Sequence, residues 1–306
     1  AVAARHSAAL HRMRATTHAT TSIAMQGTNG ARDATATAHN GGAQRRAATA
    51  PAHAQDGETA TTMRTTEGAR HRVIFFDCDD CLYKNDWRTA NVLTAKIESY
   101  TTQRLGLRDG DAYALYKKYG TCLKGLMEEK YLDTQEHLDE FLHYAHDIPL
   151  DIERDEKLRA MLLKIKTPKW VFTASVAAHA RRCLEKLGID DLFEGIIDVR
   201  AVGWETKHSP RAYEAAMRIA GVDDPSDCLF LDDSVSNMRT AREVGWTNVL
   251  VGTHARDGGE LITCDHADHI IATVHEFEAL MPEHFDEIED AAPGKREEDA
   301  VPGAPN

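Results

Sequence analysis

Val73-Ile-Phe-Phe-Asp-Cys-Asp-Asp-Cys-Leu-Tyr83 is the stretch on which the fold turns. The apolar run Arg72–Phe76, rich in Val, Ile and Phe, reads as a short buried strand. It ends in Asp77, and Asp79 follows two residues later. In extended backbone residues i and i+2 point the same way, so two carboxyls project from one side of the strand end. One can attack phosphorus while the other handles a proton. The bland alternative is a solvated acidic turn, since Asp is common after strands.

A second stretch repeats the device. Cys228-Leu-Phe-Leu-Asp-Asp-Ser-Val-Ser-Asn237 is another apolar strand, Cys228–Leu231, tipped by Asp232 and Asp233. Neighbouring carboxylates at the end of a buried strand repel each other unless a cation compensates. Hard oxygen donors suit Mg²⁺. Two smaller signals fit the same site. Lys169–Phe172 reads as a strand running into Thr173, Ala174 and Ser175 and then a helix, whose first N–H groups favour an anion. Lys207 stands just before another helix, where an ammonium can hold a phosphate.

Outward from these points the pattern alternates. Helices are expected at Val176–Leu187, ended by Gly188, after Ser209-Pro210, and at Ser234–Val244; strands at Gly195–Val199, Thr247–Val251 and His269–Ile271. Thr273 and Glu276 fit a capping box for a last helix. Strands alternating with helices imply a parallel sheet with helical crossovers, whose ligands sit at the carboxyl ends of the strands. The loops from Asp77, Thr173, Ala201 and Asp232 should therefore face one crevice. Between the first two strands the text turns helical, from Asp86 to about Lys166. Leu93, Ile97 and Tyr100, then Leu115, Tyr119, Leu123 and Leu126, then Leu138, Phe141 and Leu142, then Leu158, Met161, Leu162 and Ile165 recur at helical spacing.

The ends differ from this middle. Residues 1–70 contain no aromatic and no lysine, few acids and recurring arginines. They read as disordered, with a composition that also describes an organelle transit peptide. Residues 282–306 read as an acidic, Pro-rich disordered tail. The whole chain has 306 residues, 42% hydrophobic and 28% charged, with a formal net charge of -13. An acidic chain is a poor partner for nucleic acid or an anionic membrane. The six cysteines are scattered, several in apolar runs, as in a reduced intracellular protein. No apolar run reaches the roughly 18 residues of a membrane span.

Three further motifs have plainer structural readings. Cys78-Asp-Asp-Cys81 has zinc-ligand spacing but no second Cys-x-x-Cys. Cys264-Asp-His-Ala-Asp-His269 resembles a metal tract, but His269 begins a strand. Tyr113, Tyr116 and Tyr119 with Lys117 and Lys118 suggest nucleobase stacking, against the plainer reading of helix core.

The four acid, hydroxyl and lysine segments, in this order, resemble the haloacid dehalogenase superfamily over roughly Arg72 to Leu280. The resemblance implies a Rossmann-like parallel α/β core, residues 71–85 and 167–281, with an all-helical cap inserted at 86–166. It implies Asp77 as nucleophile, Asp79 as general acid and then base, Thr173 as phosphate ligand and Lys207 as the motif lysine. It implies Mg²⁺ on Asp77, the Asp79 carbonyl and Asp233, with Asp232 direct or through water. Dehalogenases lack an acid at the Asp79 position, so its presence favours phosphoryl transfer. Within the superfamily, FFDCDDCLYKND, YKKYGTCLKGL, CLEKLGIDDLFEGI and FLDDSVSNM look like the pyrimidine 5'-nucleotidase branch of fungi and plants. That branch implies a nucleoside 5'-monophosphate bound by Thr173, Ala174, Lys207 and the cap residue Tyr119, in a monomer or homodimer. It also implies an intracellular place, organellar if 1–70 is a transit peptide. Thr-Ala-Ser stands where the branch usually has Thr-Asn-Ala, and Lys-His-Ser-Pro where many members have Lys-Pro. The alternatives are another phosphatase or phosphomutase for a small metabolite, and an inactive metal-binding scaffold.

Overall fold

The computed structural model describes residues 71–256 and 259–286. The expectations for residues 1–70 and for 287–306 lie outside them.

Six strands form one parallel sheet in the order β3-β2-β1-β4-β5-β6. They are β1 Val73–Phe76, β2 Lys169–Phe172, β3 Gly195–Ile197, β4 Cys228–Asp232, β5 Thr247–Val251 and β6 His269–Ile271. All four β1 residues are buried, because β1 lies between β2 and β4 and is covered on both faces. The alternation of a strand then divides its side chains. Ile74 and Phe76 join one hydrophobic cluster; Val73 and Phe75 join another.

Helices cover both faces. On the Ile74 face lie α5 (Glu156–Leu163) through Leu158, Met161 and Leu162, and α6 (Ala177–Leu187) through Ala180, Cys183, Leu184 and Leu187. On the Phe75 face lie α7 (Pro210–Ala220), through Ala212, Tyr213 and Ala216, and α8 (Val235–Val244), through Met238 and Ala241. That face also holds Trp246, stacked 4.6 Å from Phe75, with Phe172, Tyr213 and Phe230 around it. Each such ring contributes on the order of 1.5–3 kcal/mol by leaving water.

Between β1 and β2 run α1 (Arg88–Gln103), α2 (Asp111–Tyr119), α3 (Cys122–Glu128), α4 (Gln135–His146) and α5. The first four share a core of their own, including Tyr100, Leu123, Leu126, Leu138, Phe141 and Leu142. This core is closed from the sheet side by Val176, Val199 and Trp204. Expected with the insertion, α5 packs on the sheet instead, so the insertion's own core ends before it. A second contact joins the insertion to the loop between β3 and α7. Gly120, at φ 87, lies so close to His208 that a Cβ there would stand 2.6 Å from its Nδ1.

Several local expectations are corrected. Residues 282–286, assigned to a tail, form a short 3-10 turn with His284 buried, and Phe285 bridges Ile165. Thr273 makes no cap, and the last helix, α9, is only Phe277–Leu280 after a 3-10 turn. Ser209 holds the N-cap position of α7 without a side-chain bond, so Pro210 alone sets that start. β3 stops at Ile197 rather than Val199, because Asp198 takes the N–H groups of Arg200 and Ala201 into a turn.

Candidate functional site

The sheet order reverses at β1, which has β2 and β3 on one side and β4, β5 and β6 on the other. A crevice forms at such a point beyond the strand ends. Asp77 follows β1, Thr173 follows β2, and Asp232 is the last residue of β4. The backbone N–H of Asp77 donates to Leu231 at 2.9 Å, which pins the first acid beside the second strand.

Lys207 reaches the same point from the β3–α7 loop. Its Nζ donates to Asp77 Oδ1 at 2.6 Å and to Asp232 Oδ2 at 2.7 Å. The ammonium is buried and lies 5.0 Å and 5.3 Å from the ring centres of Phe172 and Phe230. Burial works to lower its pKa, but the charges of Asp232 and Asp77 outweigh it and keep the lysine charged.

The acids are unequal. Asp232 is fully enclosed, and its oxygens accept from Ser234 N, Asn237 Nδ2 and Lys207. Asp233 accepts no hydrogen bond among the described residues; burial and the charges of Asp232 and Asp77 push its carboxyl well above the usual range. Burial likewise raises Asp77 to about 7, against the pull of Lys207. Carboxylate oxygens of Asp77, Asp232 and Asp233 lie within 4.8 Å of one another. Three acids facing one ammonium leave negative charge over, and the donors are all hard oxygens. That set fits Mg²⁺, with Asp233 the acid most free to bind it.

Asp79 lies in a turn, not in extended strand, and its carboxylate is drawn to α6. It accepts from Tyr83 Oη at 2.6 Å, His179 Nε2 at 2.8 Å and Ser175 Oγ at 3.2 Å. Burial alone would raise its pKa; the bond and charge of His179 and the Tyr83 bond hold it below the usual carboxylate value. His179 in turn is raised to about 10: burial opposes its charge, but Asp79 more than offsets that. The pair therefore rests as imidazolium and carboxylate, with Asp79's side chain 22% exposed toward solvent.

Thr173 is buried, and its Oγ1 accepts from Ser175 N at 3.0 Å, tightening the turn before α6. Ala174, between them, is exposed. Tyr119 is not joined to the acids: its hydroxyl donates to Glu129 at 2.6 Å, inside the insertion. Tyr113 and Tyr116 are half exposed, with ring centres 6.0 Å apart. The Cys264–His269 tract serves structure, since Asp268 and His266 bind the backbone and side chain of Asn248. Sequence reading missed His179, whose only local signal is its place four residues before Cys183 on α6. It also missed Asp80, a buried acid at φ 58 that burial and Asp79 raise to about 6.

A family model described as haloacid dehalogenase-like hydrolase matches residues 71–245, more than half of the chain. Phosphate metabolism protein 8 of Saccharomyces cerevisiae is 30% identical over 213 residues, which cover 64% of this chain and 66% of the yeast protein. Among solved structures, CbbY from Rhodobacter sphaeroides in complex with phosphate is 18% identical, with a TM-score of 0.51 over 68% of this chain and 96% of that one. The same protein in complex with xylulose-(1,5)bisphosphate is 17% identical, with a TM-score of 0.51 over 67% and 96%. At these identities the likeness to the solved structures is one of fold. No described helix is long and apolar enough to cross a membrane.

Proposed function

Because the chain belongs to the haloacid dehalogenase-like hydrolases, we propose that it hydrolyses a small phosphomonoester through an aspartyl-phosphate on Asp77. The observation that carries this reading is the shared ammonium. Lys207 holds Asp77 Oδ1 at 2.6 Å, which orients a buried carboxylate and supplies positive charge where phosphoryl oxygens would gather. Mg²⁺, held by Asp77 and Asp233 with Asp232 behind, would add the rest of that charge stabilisation.

In the first step Asp77 attacks phosphorus in line, and the leaving oxygen takes a proton from the Asp79–His179 pair. In the second, Asp79 as carboxylate draws a proton from water, which attacks phosphorus and frees Asp77. His179 suits both steps, since it keeps Asp79 ionised and holds a proton one hydrogen bond away. An acid at Asp79 favours a leaving group that needs a proton, an alkoxide rather than a halide. Thr173 and the backbone at Ala174 would bind the phosphate, and the insertion would serve as the cap.

Nucleoside 5'-monophosphates, pyrimidine ones first, are the substrates this reading favours. The support is the likeness of FFDCDDCLYKND and FLDDSVSNM to the nucleotidase branch, together with a relative named for phosphate metabolism. Phosphate release from p-nitrophenyl phosphate, UMP, CMP, AMP and sugar phosphates, with and without Mg²⁺, tests it. Release should need Mg²⁺ and vanish in Asp77→Asn; release that survives the substitution or EDTA would sink the mechanism.

A further inference from the structure

Behind Asp79 lies a cluster of a different chemical kind. Ligand atoms of Cys78, Asp79 and Cys183 all lie within 4.8 Å of one another. His179 Nε2 joins them, 2.8 Å from Asp79 Oδ1 and 3.6 Å from Cys183 Sγ. His179 and Cys183 are one turn apart on α6 and so share a face, and Cys78 meets them from the loop after β1. The paired spacing Cys78–Cys81 is not the one used. Cys81 turns away and donates to Leu231 O at 3.4 Å.

We propose that Cys78, Cys183, His179 and Asp79 form a second metal site, for Zn²⁺ or a similar thiophilic divalent ion. Two sulfurs, one imidazole nitrogen and one carboxylate oxygen make a four-donor set of the zinc type. Tetrahedral zinc bonds of about 2.0–2.3 Å place ligand atoms about 3.3–3.8 Å apart, within small side-chain shifts of what is seen. The acid cluster at Asp77 has oxygen donors alone, so the two sites differ in hardness although they share one loop. Cys78, Cys183 and His179 are buried, and the partly exposed Asp79 carboxylate is the way in.

Binding would release the two thiol protons and the Nε2 proton of His179. The remaining ring proton would stay on Nδ1, which has no hydrogen-bond partner among the described residues. An ion there takes the carboxylate of Asp79 out of reach of substrate, so occupancy switches hydrolysis off. That consequence rests on the role given to Asp79 above; the site itself does not.

Metal-free, reduced full-length protein, with excess Mg²⁺ present, is titrated with Co²⁺ as the probe and then with Zn²⁺. One equivalent of Co²⁺ should give sulfur-to-metal charge transfer and tetrahedral visible bands, which Zn²⁺ abolishes. Cys183→Ser and Cys78→Ala should each weaken binding by at least about tenfold, and Cys81→Ser should not. Circular dichroism checks that each variant is folded. A wild-type spectrum without thiolate charge transfer overturns the site, whatever the variants do, as does a band that persists in both folded variants. Phosphate release is read on the same samples, each relative to its own zinc-free rate. Zn²⁺ should cut it at least tenfold in wild type and less in Cys183→Ser. A thiolate band with undiminished hydrolysis overturns the switch. A thiolate band on a protein that hydrolyses nothing overturns the phosphatase reading and supports the site.

Discussion

Lys207 and Asp77, 130 residues apart in sequence, meet at 2.6 Å, and the same ammonium lies 2.7 Å from Asp232. One cation therefore serves two buried acids. The consequence is an asymmetry between removing the cation and removing an acid.

Lys207→Met leaves Asp77 and Asp232 facing each other without compensation. Breaking a buried ion pair from one side costs about 3–5 kcal/mol. Urea unfolding at pH 8 in EDTA should show a loss of that order, and Mg²⁺ should restore part of it. A variant as stable as wild type in EDTA would mean that Lys207 is not the charge that holds the acids together.

Asp77→Asn should behave oppositely. Lys207 keeps Asp232 as partner, and one excess negative charge disappears. The folded pKa of Asp77, about 7, lies above the ordinary 3.8. A raised carboxyl contributes stability that is full below about pH 3.8 and lost as pH rises through about 7. In EDTA the gap between wild type and Asp77→Asn should therefore shift in favour of the variant between pH 4 and pH 8. Thermal melts across that range read it, and a gap that does not move with pH counts against a raised Asp77. Mg²⁺ should stabilise wild type more than the variant at pH 8.

The strand-and-acid frame of this site is legible in sequence for a physical reason. A parallel strand covered on both faces must be apolar along its length, so the first polar residue marks its end. Val73–Phe76 before Asp77 and Cys228–Leu231 before Asp232 both obey that rule. β2, β5 and β6 have the bounds their apolar runs suggest. What failed depends on contacts between distant segments. No local pattern says that His179 will meet Asp79, 100 residues away, or that Cys78 will turn to Cys183 and not Cys81. The C-terminal end of the insertion differs from the expectation at Lys166 because helical periodicity shows that α5 has an apolar face, not which core that face joins.

His179→Gln tests whether His179 positions and charges Asp79. Removing it takes away the strongest contact that depresses the Asp79 pKa, so that pKa should rise. The turnover number should fall by about 10²-fold or more, since a positioned proton-transfer partner contributes about 10²–10⁴-fold, while KM changes little. His179 itself titrates near 10. Wild-type turnover should therefore decline as pH rises through about 10, and this limb should be absent from the variant's profile. A variant with wild-type turnover and an unchanged profile would remove His179 from the mechanism.

Gly120→Ala tests the seat of the insertion on the core. Gly120 sits at φ 87, where an L side chain is strained by about 1–2 kcal/mol. The added Cβ would also stand 2.6 Å from Nδ1 of His208, the neighbour of Lys207. His208 is exposed and directly follows Lys207, so displacing its ring from Gly120 should loosen the loop that carries Lys207, and stability and hydrolysis should fall together. His208→Ala removes the clash but not the backbone strain. The double variant should therefore recover turnover while keeping about 1–2 kcal/mol of the destabilisation. Kinetics and urea unfolding on the four proteins of this cycle separate the two terms; turnover that does not recover in the double variant would show that the insertion is not registered to the core through this contact.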